Sequence, residues 1–268
     1  MRNQRLPWLL ALLWCLPVGG GMQAQDLGKY FRRTKGAFVL YDLKQDRYLR
    51  YNRPRCRQRF SPFSTYKIPN SLIGLETGVI SDADFLIPWD RQKYPERDNF
   101  LPEWNRDHTL RSAFRYSVVW YYRELAKRVG EARMKELVTK LDYGNQDISG
   151  GIDRFWLRSS LSISAEEQVE FLKRLYHSQL PVSKRSIEIV KEIMTLEVAP
   201  DYKLCAKTGG GPLAEDRYLG WFVGYVETRD NVYFFALNID GESYNAIRDR
   251  RLDLVKEILT DLGCLRRP

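Results

Sequence analysis

The chain has 268 residues, enough for one full hydrophobic core, and a formal net charge of +9 with 43 Lys and Arg against 34 Asp and Glu. The basic residues are interspersed with acidic ones and no nucleic-acid motif accompanies them, which argues against nucleic-acid binding. Two histidines, His108 and His177, stand outside metal-ligand spacing with the cysteines, so a zinc hydrolase is not expected.

The N-terminus carries Arg2 and Arg5, then the uncharged apolar stretch Leu6 to Val18, then three glycines. This is the anatomy of a secretory signal peptide, expected over residues 1–24 with Ala24 as the cleavage point. The expected product is a single exported domain over 25–268, periplasmic in a Gram-negative cell and without stable membrane insertion. Cys56, Cys205 and Cys264 remain after removal of the segment holding Cys15; an odd number suggests buried thiols with at most one bridge.

Gly36 to Leu43 and Tyr48 to Tyr51 read as strands around the polar turn Lys44-Gln45-Asp46. Ser64-Thr65-Tyr66-Lys67 follows, just ahead of a helical pattern from Ile68 to Gly78. Positions i and i+3 share a helix face, so the hydroxyl and the amine can meet. A lysine held neutral by burial can take the proton that makes a serine nucleophilic. Pro69 fits only near the helix start, which puts Ser64 at the N-terminus, where free N–H groups favour an oxyanion. Helices are expected over Leu110 to Val129, Glu131 to Leu141, from the capping-box sequence Ser164-Ala165-Glu166-Glu167 to about His177, and from Arg248 to Leu262. Tyr202 to Gly211 reads as extended, and Leu219 to Glu227 and Val232 to Ile239 as a hairpin turning at Thr228 to Asn231. Strands at both ends around a helical middle predict an α+β fold. Its mainly antiparallel sheet is built from the N- and C-terminal segments, flanked by helices, with a helical region completing the cleft.

Two more motifs lie downstream of S-x-x-K: Ser117-Val118-Val119 and Lys207-Thr208-Gly209. Their order resembles the serine penicillin-recognising enzymes. S-x-V in place of S-x-N, Tyr143-Gly144-Asn145, Phe155-Trp156-Leu157, Phe60-Ser61-Pro62-Phe63 and Trp104-Asn105-Arg106-Asp107 narrow this. Together they resemble the class D (oxacillinase-type) β-lactamases over residues 30–262.

The resemblance implies a β-lactamase/transpeptidase-like domain that opens the β-lactam ring of penicillin-type antibiotics and so confers resistance. It implies Ser64 as nucleophile and Lys67 as general base, carboxylated by carbon dioxide on its amine, with no other cofactor and no metal. An apolar pocket favours that carbamate by penalising the ammonium form. Val119 and Trp156 match pocket-lining positions, and the Trp156 indole N–H is a candidate donor to the carbamate. Ser117, assisted by Lys207, would pass a proton to the leaving nitrogen. The backbone N–H groups of Ser64 and Gly210 would form the oxyanion hole. Lys207 should face the cleft, and Thr208 reaches substrate only where the three glycines distort the strand. Arg248, Arg250 and Arg251 are candidates for the substrate carboxylate, with Arg248 the best match. Tyr143-Gly144-Asn145 reads as structural.

The expected partner is a small-molecule β-lactam; nothing in the sequence sets an oligomeric state. Two rivals share the fold: a penicillin-binding sensor, and a cell-wall peptidase domain that acylates without turning over β-lactams. Sensors are normally tethered behind transmembrane helices, and Trp156 and S-x-V speak against a peptidase. A silent envelope-binding protein on the same scaffold is disfavoured by the presence of every motif residue.

Overall fold

The computed structural model describes residues 26–265; the expected signal segment lies outside them. Chain order begins with β1 (Gly36–Asp42), β2 (Arg47–Tyr51) and α1 (Arg53–Arg57). A 3-10 turn, Phe63–Tyr66, runs directly into α2 (Lys67–Glu76). A two-residue ribbon, β3 (Leu86–Ile87) with β4 (His108–Thr109), frames a long loop. Then come α3 (Leu110–Arg115), α4 (Val119–Val129), α5 (Glu131–Lys140), α6 (Ala165–Tyr176) and α7 (Lys184–Ile193). The chain closes with β5 (Thr195–Val198), β6 (Tyr202–Ala214), β7 (Arg217–Thr228), β8 (Val232–Gly241), α8 (Tyr244–Arg248) and α9 (Arg250–Asp261).

The strands form one antiparallel sheet in the order β2-β1-β8-β7-β6-β5. Within it the pairing of β1 with β8 sets Phe38 opposite Leu237 and joins the two ends of the chain, as expected from the sequence. Both faces are covered. Ala37, Val39 and Tyr41 pack into the core shared with α2, α4, α6 and α7, while Phe38 and Leu40 alternate into a second core beneath α9. Every residue of β1 is therefore buried, which is why its sequence alternates only loosely. Helix α2 is buried on all sides except at Glu76 and forms the axis of the larger core.

Local signals explain most element boundaries. Ser164 and Glu167 make both bonds of a capping box at the start of α6. Ser183 caps α7, a helix the sequence reading did not include. The expected helix from Leu110 to Val129 is two helices. Ser117 sits between them in the left-handed region at φ 58°, followed by extended Val118. The terminal helix is likewise split at Asp249.

Strand β5 pairs with β6 only between Thr195–Val198 and Lys203–Cys205. The bond from Ala206 N–H to the Met194 carbonyl, 2.9 Å, is the last rung on that side. Among the described residues the outer edge of β6 meets no strand from Lys207 onward and faces the 3-10 turn. This bare edge positions the site.

Gly144 turns the chain at φ 59°, and a Cβ there would lie 2.2 Å from the Ser162 carbonyl oxygen. Asn145 then fastens this turn to the segment after Trp156. Its amide donates to Ser160 O at 2.8 Å, and its Oδ1 accepts from Ser162 N–H at 2.9 Å. Gly144→Ala adds the left-handed penalty of about 1–2 kcal/mol to a backbone collision. It should lower unfolding free energy by roughly 2–4 kcal/mol in a urea titration. A loss below 0.5 kcal/mol, on the scale of an ordinary surface change, would contradict this packing.

Candidate active site

The nucleophile turn is held from three directions. The Trp156 carbonyl accepts from Phe63 N–H at 3.0 Å and from Ser61 Oγ at 2.9 Å. Trp221 on β7 donates its indole N–H to Ser61 O at 3.0 Å. Gln168 on α6 donates to Thr65 Oγ1 at 2.9 Å. Phe63, immediately before Ser64, is itself left-handed at φ 48°. Left-handed backbone at Phe63 and Ser117 brackets the reactive groups, the local strain that surrounding structure must over-determine.

Lys67 Nζ lies 2.8 Å from Ser64 Oγ, so the i, i+3 spacing does bring the two together. Lys67 has no exposed surface, and no carboxylate pairs with it among the described residues. Its pKa falls well below the usual lysine value, first because burial penalises the ammonium, then because Lys207 and Arg123 add positive charge nearby. The Tyr122 ring centroid is 5.2 Å from Nζ, and Tyr122 OH bonds Ser71 Oγ at 2.9 Å. Tyr66, beside Lys67, stacks on the fully buried Trp156 with centroids 5.4 Å apart.

Lys207 Nζ lies 3.1 Å from Ser117 Oγ and also reaches the Thr208 carbonyl at 3.2 Å. Burial, with Arg251 second, lowers its pKa to about 7. Near neutral pH this amine therefore holds or releases a proton with little cost. The left-handed turn at Ser117 points a hydroxyl at Lys207 that a continuous helix would have carried elsewhere.

The ladder between β6 and β7 is regular from Tyr202↔Thr228 to Pro212↔Tyr218, with no bulge at the glycines. Lys207 and Thr208 thus take opposite faces. Cys205 packs on the Lys207 side, and Ala206 packs with Thr208's side. The distortion expected at Gly209-Gly210-Gly211 is absent because these glycines serve close approach instead. A Cβ at Gly209 would lie 2.8 Å from Pro62 O and 3.1 Å from Thr65 N, so only glycine lets the nucleophile turn seat against the strand. The Ala206 N–H points outward to Met194. By the two-residue strand period, the N–H groups of Thr208 and Gly210 also point to the bare edge, on the same side as Ser64.

The arginine assignment is corrected. Arg248 is exposed and paired with neighbouring Asp249 at 2.9 Å. Arg250 pairs with Glu257 at 3.1 Å. Arg251 is the buried one: its Nη1 donates to the Gly209 carbonyl and lies 2.8 Å from where a Gly210 Cβ would be. One helical turn separates Arg248 from Arg251, and the break at Asp249 decides which of them faces the sheet. Nε of Arg251 is buried without a partner. Tyr244 lies against this guanidinium, its ring centroid 5.7 Å away, and meets the exposed Phe100 edge-on at 4.7 Å. The loop carrying Phe100 is tied to the Ser117 wall, since Trp104 donates to Tyr116 O at 2.9 Å.

Ser64, Lys67, Ser117, Lys207 and the Gly210 edge therefore meet in one cleft between the sheet and the helical region, with Arg251 beside them. Sequence reasoning did not single out Arg123 or Tyr244. Neither stands in a motif, and only packing brings them to the site.

This arrangement has close relatives. Residues 36–260 match the penicillin binding protein transpeptidase domain. Beta-lactamase OXA-48 of Klebsiella pneumoniae is 45% identical over 227 residues, 85% of this chain and 83% of that protein. The methicillin resistance mecR1 protein of Staphylococcus aureus is 39% identical over 88% of this chain but only 39% of its own length. Among solved structures, the class D β-lactamase FUS-1 (OXA-85) of Fusobacterium nucleatum superposes with a TM-score of 0.84 at 39% identity, covering 90% of this chain and 98% of that one. The Nostoc class D enzyme YbXI superposes at 0.83 with 41% identity, covering 89% and 98%. With this site, this sheet and these relatives, the chain belongs to the class D β-lactamase family.

Proposed function

We propose that this protein hydrolyses the β-lactam ring of penicillin-type antibiotics through an acyl-enzyme on Ser64, and so gives resistance. The observation that carries this reading is a fully buried lysine amine, with no counter-ion among the described residues, 2.8 Å from Ser64 Oγ. Such an amine is held neutral and can accept the serine proton as Oγ attacks the ring carbonyl. The backbone N–H groups of Ser64, in the 3-10 turn, and of Gly210, on the β6 edge, stabilise the oxyanion. As the ring C–N bond breaks, Ser117 passes its proton to the departing nitrogen and is resupplied by Lys207. Arg251 takes the substrate carboxylate with the guanidinium N–H groups that Gly209 leaves free.

The neutral amine and the surrounding positive charge of Lys207 and Arg123 fit a carbamate on Lys67, because an uncharged amine is needed to form it and cations favour the anion produced. Bound there, carbon dioxide would supply a carboxylate base for Ser64 and for the water that releases the acyl group. Trp156, fully buried and stacked on Tyr66, is the proposed indole donor. Export after removal of residues 1–24 is the corresponding proposal for location. A sensor-like outcome, acylation without release, is the second reading, favoured by the 39% identity to the mecR1 protein.

Ser64→Ala should abolish both turnover and covalent labelling by a penicillin in intact-mass spectra; labelling at another residue would sink the mechanism. Wild type that takes up one penicillin and releases none over hours would establish the sensor-like reading.

Acidification protonates an amine whose pKa is depressed, so lowering the pH through that value should empty the carbamate and slow deacylation. Bicarbonate at neutral pH should restore the rate, and Trp156→Ala should need more of it. Rates indifferent to bicarbonate, with no carboxylated lysine in carbon-13 spectra, would leave the free amine as the base.

Arg251→Ala should lose roughly 10- to 100-fold in kcat/KM for carboxylate-bearing substrates, the worth of about 1.5–3 kcal/mol for a charged contact, and much less for a neutral ester analogue. Arg248→Ala should change neither. The opposite pattern would restore Arg248 to the site.

A further inference from the structure

Beyond Lys207 and Thr208 the cleft does not end. These two residues also line a cavity of about 620 Å³ that opens where β5 turns away from β6. Its walls are apolar, from Phe114 on α3, Phe222 on β7 and Leu252 on α9. Its rim is charged, from Arg111, Arg115 and Glu192. Arg111 and Glu192 neutralise each other at 2.7 Å, and Arg111 also reaches Asp84 at 3.3 Å. Arg115 is different. It is exposed, has no carboxylate partner among the described residues, and its guanidinium lies 6.0 Å from the centroid of the neighbouring Tyr116 ring. The cavity is thus an apolar slot with one uncompensated guanidinium at its mouth.

Strand β6 gives the slot its place relative to the substrate. Gly210 marks the carbonyl end, and Lys207 with Ser117 marks the ring nitrogen. Continuing to Ala206, a run of about 13 Å from Gly210 at roughly 3.3 Å per residue, leads past the ring carboxylate. The group that projects there is the substituent on the carbon next to the one bearing that carboxylate. We infer that the cavity is a subsite for this substituent and that Arg115 selects for an anionic group at its far end, so that β-lactams carrying an extended acidic arm at that position are preferred. The inference rests on the hydrolase reading for the orientation of the substrate. It does not need release of the acyl group, because capture happens before acylation.

The test uses three cephalosporin-type compounds that differ only at that substituent: methyl, a neutral benzyl-type arm, and the same arm ending in a carboxylate. The second-order acylation rate constant is measured by intact mass, and kcat separately by ring opening. Wild type should acylate with the acidic compound about tenfold faster than with the neutral-arm compound, and the ratio should shrink as salt rises. Arg115→Ala should bring the ratio to about one while leaving the methyl compound within twofold of wild type, and Arg115→Lys should restore part of the preference. Leu252→Phe, which fills the slot, should slow both extended compounds and spare the methyl one. A ratio unchanged by Arg115→Ala, or extended compounds unaffected by Leu252→Phe, would overturn the subsite. Rapid, selective acylation with no turnover of any compound would instead overturn the hydrolase reading and keep the subsite.

Discussion

A lysine amine buried without a compensating anion is the constraint on which the rest of this site depends. Lys67 has no exposed surface, and its nearest charged influences are cations. An ammonium there would be uncompensated in a poorly solvated interior, so the folded state favours the neutral amine. That cost is tolerated because α2 is the axis of the larger core, and moving Lys67 outward would expose the apolar residues beside it. The neutral amine beside Ser64 is thus a by-product of packing. The same packing fixes its 2.8 Å separation from Ser64 Oγ.

The cations around the cleft divide the work by burial. Lys67 and Lys207 are enclosed and lowered in pKa, which suits proton transfer. Arg251 is enclosed too, but a guanidinium keeps its charge and can serve only as a fixed partner for an anion. Arg248, Arg250 and Arg111 lie at the surface and are each matched by a carboxylate. The two sides of the cleft are joined above these groups by the Phe100–Tyr244 contact, so the helical region and the sheet meet at both the floor and the mouth.

Much of this was legible in the residues. The strands at both ends, the antiparallel sheet they build, the capping box at Ser164 and the Ser64–Lys67 pairing all follow from local patterns. Burial periodicity, cap chemistry and i, i+3 geometry act within a few residues. The elements that escaped are those whose boundaries are imposed from outside. The pattern from Leu110 to Val129 is continuous in hydrophobicity, yet α3 closes with Ser117 N–H on Phe114 O and Val118 N–H on Ala113 O, Ser117 turns left-handed, and its hydroxyl meets Lys207 across the cleft. A two-residue period correctly sets Lys207 and Thr208 on opposite faces, but the regular ladder through the glycines could be read only from the paired β7.

The sequence by itself determined the chemistry: a serine, a lysine three residues on, a second serine and a second lysine, in an order that identifies the family. It could do so because Ser64 and Lys67 stand i, i+3 apart across the junction of the 3-10 turn with α2, where spacing is geometry. The tertiary structure decided which arginine faces the strand. Arg248 and Arg251 are equally charged and lie on adjoining helices. The break at Asp249 and the docking of α9 on the second core bury Arg251 against Gly209 and leave Arg248 in solvent. That choice depends on how a helix is rotated against a sheet built from both ends of the chain, and no short stretch of residues encodes it.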